Sequence, residues 1–97
     1  MEQMFRIQQE EDTAKGAFFI DSHGKRIAEI LWRFEDENNI EVYRTFTDPS
    51  LRGKGVAGHL VERVANLARE RQLRINASCS YAYKWLSASD EFRGLLK

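Results

Sequence analysis

Asp48-Pro49-Ser50-Leu51-Arg52-Gly53-Lys54-Gly55-Val56-Ala57 stands between a strand-like run and a long amphipathic one. Pro49 cannot continue a central strand and marks where the first run stops. Gly53 and Gly55 follow, flanked by Arg52 and Lys54. Glycine turns tightly and lets a ligand come close to main-chain N–H groups. A helix start leaves several N–H groups without partners and carries a partial positive charge. Such a combination suits phosphate oxygens. The plainer reading is a polar helix start with glycines that only serve the turn.

Outward from this stretch the elements follow by period. A helix is expected from about Gly55 to Arg71, with Ala57, Leu60, Val61, Val64, Ala65 and Ala68 on the apolar stripe. His59 falls off that stripe and reads as a surface residue. Leu73 to Ala77 reads as a short strand after a brief turn. Strand, helix and strand imply a right-handed crossover, with the last strand parallel to the one before the helix. Tyr81–Leu86 and Glu91–Leu96 read as short helices.

Before the stretch the pattern is of strands. Phe5-Arg6-Ile7 alternates and suits a first strand, with Gln8 to Lys15 as a polar loop. Gly16–Ile20 is apolar and compact. Asp21-Ser22-His23-Gly24 then offers a hairpin turn. In Arg26–Phe34, Ala28, Ile30, Trp32 and Phe34 share one face, and Ile27 and Leu31 share the other with Glu29 and Arg33. Ile40–Phe46 is a fourth strand with Ile40, Val42 and Phe46 in phase. Four short-linked strands make an antiparallel meander.

The chain's 97 residues bound it to one domain, 1–97, with one modest core. Its net charge of zero gives no global attraction to nucleic acid or to an anionic membrane. Residues 1–50 carry six Lys/Arg against eleven Asp/Glu, and residues 51–97 carry nine against four, so the glycine stretch borders the basic half. A single cysteine excludes an internal disulfide, and no metal-ligand spacing is present. No apolar run has signal-peptide or membrane-spanning length, so a reducing, cytoplasmic setting is expected.

Arg52-Gly53-Lys54-Gly55-Val56-Ala57 fits the Gln/Arg-x-x-Gly-x-Gly/Ala motif of the GNAT superfamily, the acetyl-CoA-dependent N-acetyltransferases, and the element order agrees. The chain resembles above all the very small, single-domain members of the YjdJ type. There a strand bearing His-Thr-x-Val-x-Pro precedes Arg-Gly-Lys-Gly, and a cysteine follows the last strand. Here the corresponding run is Arg44-Thr45-Phe46-Thr47-Asp48-Pro49, and the cysteine is Cys79. The likeness covers roughly residues 4–96. It implies an α/β (α+β) fold: an antiparallel meander, a long helix, a crossover to a parallel fifth strand, and short C-terminal helices. Two positions depart from the pattern. Arg44 stands where histidine is usual, and Thr47 where an apolar residue is usual. Arginine does not act as a base near neutral pH.

The resemblance implies an acetyl-CoA site. Phe46 and Thr47 would flank the pantetheine arm, and the backbone from Arg52 through Gly53, Lys54, Gly55, Val56 and Ala57 would hold the pyrophosphate. Asn76 would bond to pantetheine, or simply cap the strand exit. Tyr81 and Tyr83 are candidates to protonate the departing thiolate or to meet the coenzyme. Half-buried packing is their plainer reading. Cys79 is placed near the thioester, where a thiolate could accept the acetyl group. Its plainer reading is a small buried apolar residue. Larger relatives place two helices between the first and second strands. Gln8–Lys15 is too short for them, so the acceptor side is expected to be open, as suits a protein lysine, a terminus or a polyamine. The expected function is acetyl transfer from acetyl-CoA to an amine by a chain compatible with a monomer. The alternative is an acyl-CoA-binding module without turnover.

Overall fold

Short turns bring the first four strands into one antiparallel run. The computed structural model describes residues 5–97. β1 (Gln8–Glu11), β2 (Lys15–Ser22), β3 (Lys25–Phe34), β4 (Asn39–Thr47) and β5 (Arg74–Ala77) form one sheet in that order. β1 to β4 are antiparallel neighbours, and β5 lies parallel to β4. Asp12 closes the β1–β2 turn, accepting from the N–H groups of Ala14 and Lys15 at 2.7 and 2.9 Å. No helix intervenes there, as the length of that interval requires. At the β2–β3 turn, His23 and Gly24 take φ of 53° and 77°.

The first strand is not where the alternation of Phe5-Arg6-Ile7 puts it. Those residues precede β1, and Phe5 and Ile7 pack on the core, while the polar Gln8–Glu11 makes the edge pairing with β2. An edge strand needs backbone partners on one side only and tolerates charge, which also blunts further pairing.

Helix α1 (Val56–Glu70) and helix α2 (Ser80–Ser87) lie on one face of the sheet. That face carries Phe18, Ile20, Ala28, Ile30, Trp32, Ile40 and Val42, which join Leu60, Val61, Val64 and Ala65 of α1 and Ala82 and Leu86 of α2 in one core. Each fully buried aliphatic side chain of this kind contributes ~1.5–3 kcal/mol. Val56, not Ala57, begins the buried stripe of α1. Gln72, at φ 59°, ends the helix, and the chain turns into β5. The expected second C-terminal helix is one 3₁₀ turn, Arg93–Leu95. The last residues then close the outer edge of β5, with the Lys97 N–H donating to Ile75 O at 2.8 Å.

The opposite face of the sheet has no helix over it among the described residues. Ala17 and Phe19 lie there, outside the main core, with the Arg26 guanidinium 3.8 Å from the centre of the Phe19 ring. A charge ladder runs across it: Glu10 to Arg26, Arg26 to Glu29, and Glu29 to Arg44.

Candidate functional site

Two features of β4 build the site. The first is a bulge. Leu31 pairs with Arg44 but Trp32 pairs with Val42, so Tyr43 is an extra residue in β4. A one-residue insertion exchanges the faces of everything after it. Thr45 and Thr47 therefore share the helix-covered face with Ile30 and Ala28. Phe46 pairs with Glu29 on the open face, which corrects the expectation that it continues the phase of Ile40 and Val42. The second feature is a fork. β5 pairs with β4 only from Asn39↔Arg74 to Val42↔Ala77, while β4 runs on to Thr47.

The backbone direction in the fork follows. Asp48 donates its N–H to Ile27 O at 2.7 Å, on the β3 side. Alternation turns Phe46 the same way and turns the N–H and C=O groups of Thr45 and Thr47 toward the fork. Of the two residues expected to flank a pantetheine arm, Thr47 has its backbone on the open side. Phe46 presents its own to β3. Thr45 is a fork residue too, though not one of the two expected to flank the arm.

Cys79 sits at the apex. Its N–H and that of Ser78 both donate to Val42 O, at 3.2 and 3.0 Å. Its thiol lies 3.3 Å from Thr45 Oγ1. Cys79 is also the N-cap residue of α2. Burial is the largest single influence on this thiol and pushes its pKa up. The Thr45 hydroxyl and the backbone N–H groups of Ala82, Tyr81 and Thr45 together outweigh burial and hold the thiol below its ordinary value of 9.0. Tyr81 and Tyr83, on α2, are 43% and 52% exposed.

The loop beyond β4 is pinned at both ends. A 3₁₀ turn, Pro49–Leu51, is capped by Asp48, whose carboxylate accepts from Ser50 Oγ and N at 2.6 and 3.0 Å. The Ser50 hydroxyl, then its N–H, holds the Asp48 pKa below the usual range. Leu51 is buried before the glycines and Val56 after them. Between these anchors Gly53 and Gly55 take φ of 79° and 74°, a region costly to side chains, and the space where their side chains would stand is open to 4 Å. No side chain caps α1 at Gly55. Among the described residues the N–H groups of Gly53, Gly55, Val56, Ala57 and Gly58 form no hydrogen bond, and neither Arg52 nor Lys54 forms an ion pair. Unpartnered donors, open space and two exposed cations fit a phosphate-bearing group.

Two residues do not join this arrangement. Asn76 lies inside the paired part of β5, opposite Glu41, and donates to Glu35 Oε2 at 2.9 Å. Its amide is thus engaged beside the paired strands and not in the fork. Arg44 points to the open face, bonded to Glu29 at 3.0 Å and lying 5.5 Å from the Phe46 ring centre. On that same face Glu41 accepts from Ser78 Oγ and from Arg33 Nε, and these two bonds, Ser78 first, lower its pKa.

A profile of GCN5-related N-acetyl-transferases matches residues 17–95. The chain belongs to this GCN5-related N-acetyltransferase, or GNAT, family. A GCN5-like protein of Staphylococcus aureus, known from its NMR solution structure, is 33% identical over 96% of this chain and 88% of its own, with a TM-score of 0.76. The fold is also that of a GNAT family acetyltransferase from Elizabethkingia anophelis solved with acetyl-CoA bound, at a TM-score of 0.57. That protein is 14% identical over 67% of this chain and 43% of its own. Rv2747 from Mycobacterium tuberculosis, solved with CoA, is similar at a TM-score of 0.54, 20% identical over 63% of this chain and 39% of its own. No curated protein matches the chain in sequence. In this GNAT chain, none of the helices is long and apolar enough to cross a membrane, among the described residues.

Proposed function

We propose that this GNAT domain, spanning 1–97, transfers acetyl from acetyl-CoA to an amine. The observation that carries the reading is the joining of two parts at the end of β4: the free N–H groups of the Arg52–Ala57 loop and the Thr45–Cys79 contact in the fork. The loop would hold the pyrophosphate, with Arg52 and Lys54 adding positive charge. The backbone of Thr45 and Thr47 would pair with the pantetheine arm, and Tyr83 would meet the coenzyme from α2. The coenzyme supplies a thioester-activated acetyl group. Orientation beside it gives much of the rate in such reactions.

Two routes are open to these residues. In the first, the Cys79 thiolate attacks the acetyl carbon, a sulfur–carbon bond forms on Cys79, and the bond to coenzyme sulfur breaks. Tyr81 would give a proton to the leaving sulfur, and an amine would then take the acetyl group from Cys79. In the second, a neutral amine attacks the thioester directly. The bare open face of the sheet supports an acceptor presented from that side by a large or loosely held molecule.

The test is acetyl-CoA calorimetry with CoA release over lysine peptides, polyamines and amino-terminal peptides, and intact mass after incubation with acetyl-CoA alone. Binding, turnover on one class and one added acetyl group that is lost in Cys79→Ala establish the covalent route. Turnover retained in Cys79→Ala establishes direct attack. Absence of binding refutes the function. Binding with no turnover on any amine replaces it with an acyl-CoA-binding module, a reading that the engagement of Arg44 with Glu29 favours.

A further inference from the structure

Gly58 does not need to be glycine for its backbone. It lies in the first turn of α1, where alanine would favour the helix. What glycine provides there is room. A Cβ at position 58 would stand 3.0 Å from Trp85 Nε1, 3.7 Å from Cδ1 and 3.8 Å from Cε2. Trp85 is on α2, and its ring stacks on Phe92, ring centres 6.1 Å apart at 27°. Phe92 is itself buried, with the Arg69 guanidinium of α1 at 4.9 Å from its ring centre. The partly buried indole thus lies against both the first turn of α1 and a buried ring.

We infer that Gly58 is a positioning residue for the acyl-transfer site: the side chain it lacks lets Trp85 close on the first turn of α1, which sets the start of α2, with Cys79, against the Arg52–Ala57 loop. Trp85 and Cys79 are six residues apart, about 9 Å along a helix. A short helix moves as one body. A displacement at Trp85 therefore reaches the Cys79–Thr45 contact, which spans α2 and β4 at 3.3 Å. The inference rests on the proposed coenzyme site for its functional meaning, but the spacing it describes exists without the coenzyme.

The test uses Gly58→Ala and Gly58→Val, each alone and combined with Trp85→Leu. The first readout is the pH dependence of Cys79 alkylation by iodoacetamide without coenzyme. The second is acetyl-CoA affinity. Both single variants are expected to move the alkylation midpoint up, Gly58→Val further than Gly58→Ala. Gly58→Val is expected to weaken acetyl-CoA binding about tenfold, the loss of one well-aligned bond to a charged group. Trp85→Leu is expected to return both readouts toward the unsubstituted protein, which a general loss of packing would not do. An unchanged midpoint or affinity in folded Gly58→Val, or a change that Trp85→Leu leaves in place, overturns the inference. If Gly58→Val does not fold by circular dichroism, the same two readouts are taken on Gly58→Ala, where a raised midpoint supports the inference and an unchanged one overturns it. If the unsubstituted protein does not bind acetyl-CoA, the functional reading fails, and the alkylation arm alone decides whether Gly58 positions Cys79.

Discussion

Three glycines of this chain allow the shape of the Arg52–Ala57 loop to be separated from its stability. Gly24, Gly53 and Gly55 have φ of 77°, 79° and 74°, and a Cβ on any of them meets nothing within 4 Å. Replacing each with alanine therefore imposes the same backbone strain and no clash. A left-handed residue other than glycine costs ~1–2 kcal/mol. Alanine recovers ~0.4–1 kcal/mol by restricting the unfolded chain. Each variant should then lose about 1 kcal/mol, and a domain of this size should melt about 4–8 °C lower. Acetyl-CoA affinity should divide the three. Gly24 is in the β2–β3 turn, whereas Gly53 and Gly55 contribute free N–H groups and the open space above them. A methyl group there should misalign or cover one donor to a charged oxygen, worth roughly 1.5–3 kcal/mol, or about 10- to 150-fold in affinity. Thermal unfolding gives the first quantity and isothermal calorimetry the second. Equal affinity losses in Gly24→Ala and Gly55→Ala would show that strain alone is being measured. Undiminished binding by both Gly53→Ala and Gly55→Ala would remove the coenzyme phosphates from this loop.

Two further perturbations test the core and the fork. A Cβ on Gly16 would fall 2.6 Å from Trp32 Cε2 and closer still to Cζ2, and Trp32 is fully buried, so Gly16→Ala should cost about 1–3 kcal/mol by overpacking in urea denaturation. Thr45→Val removes one of the groups that favour the Cys79 thiolate, so Cys79 alkylation should shift to higher pH with little change in fold. Because the folded thiol is held below 9.0, ionisation of Cys79 adds stability above the ordinary thiol pKa. That increment is lost as pH falls through the folded value. The stability difference between the unsubstituted protein and Cys79→Ala should therefore widen as pH rises between those two values, and a constant difference would refute the depressed pKa.

Where local rules govern an element, the sequence discloses it. α1 follows from the spacing of Leu60, Val61, Val64 and Ala65, and the loop before it follows from Pro49 and the glycines, because period and φ are properties of a few neighbouring residues. β1 is obscured because its polar residues satisfy backbone pairing at an edge, whereas the alternating Phe5 and Ile7 serve the core. The bulge at Tyr43 carries no glycine or proline to announce it, yet it reverses the faces of Thr45, Phe46 and Thr47. The contact between Cys79 and Thr45 joins residues 34 apart and depends on that reversal. A signal for Thr45 is present in the run Arg44-Thr45-Phe46-Thr47-Asp48-Pro49, where it keeps the family's threonine beside the position that departs from the pattern.

That departure takes its meaning from the bulge. With Tyr43 inserted, residue 44 points to the open face, where Glu29 binds the guanidinium and Phe46 lies beneath it. Thr45 turns its hydroxyl to Cys79 on the face that α1 and α2 cover. β4 therefore sends two adjacent side chains to opposite faces of the sheet. An acceptor approaching over the open face would meet Arg44 and the charge ladder that holds it. A coenzyme lying along the α1 loop would meet Thr45 and Cys79. Arginine neither takes a proton there near neutral pH nor moves without breaking its pair with Glu29. In the proposed reaction the proton of an attacking amine would then pass to solvent or to the fork, where the Thr45 hydroxyl and nearby N–H groups favour the thiolate form of Cys79.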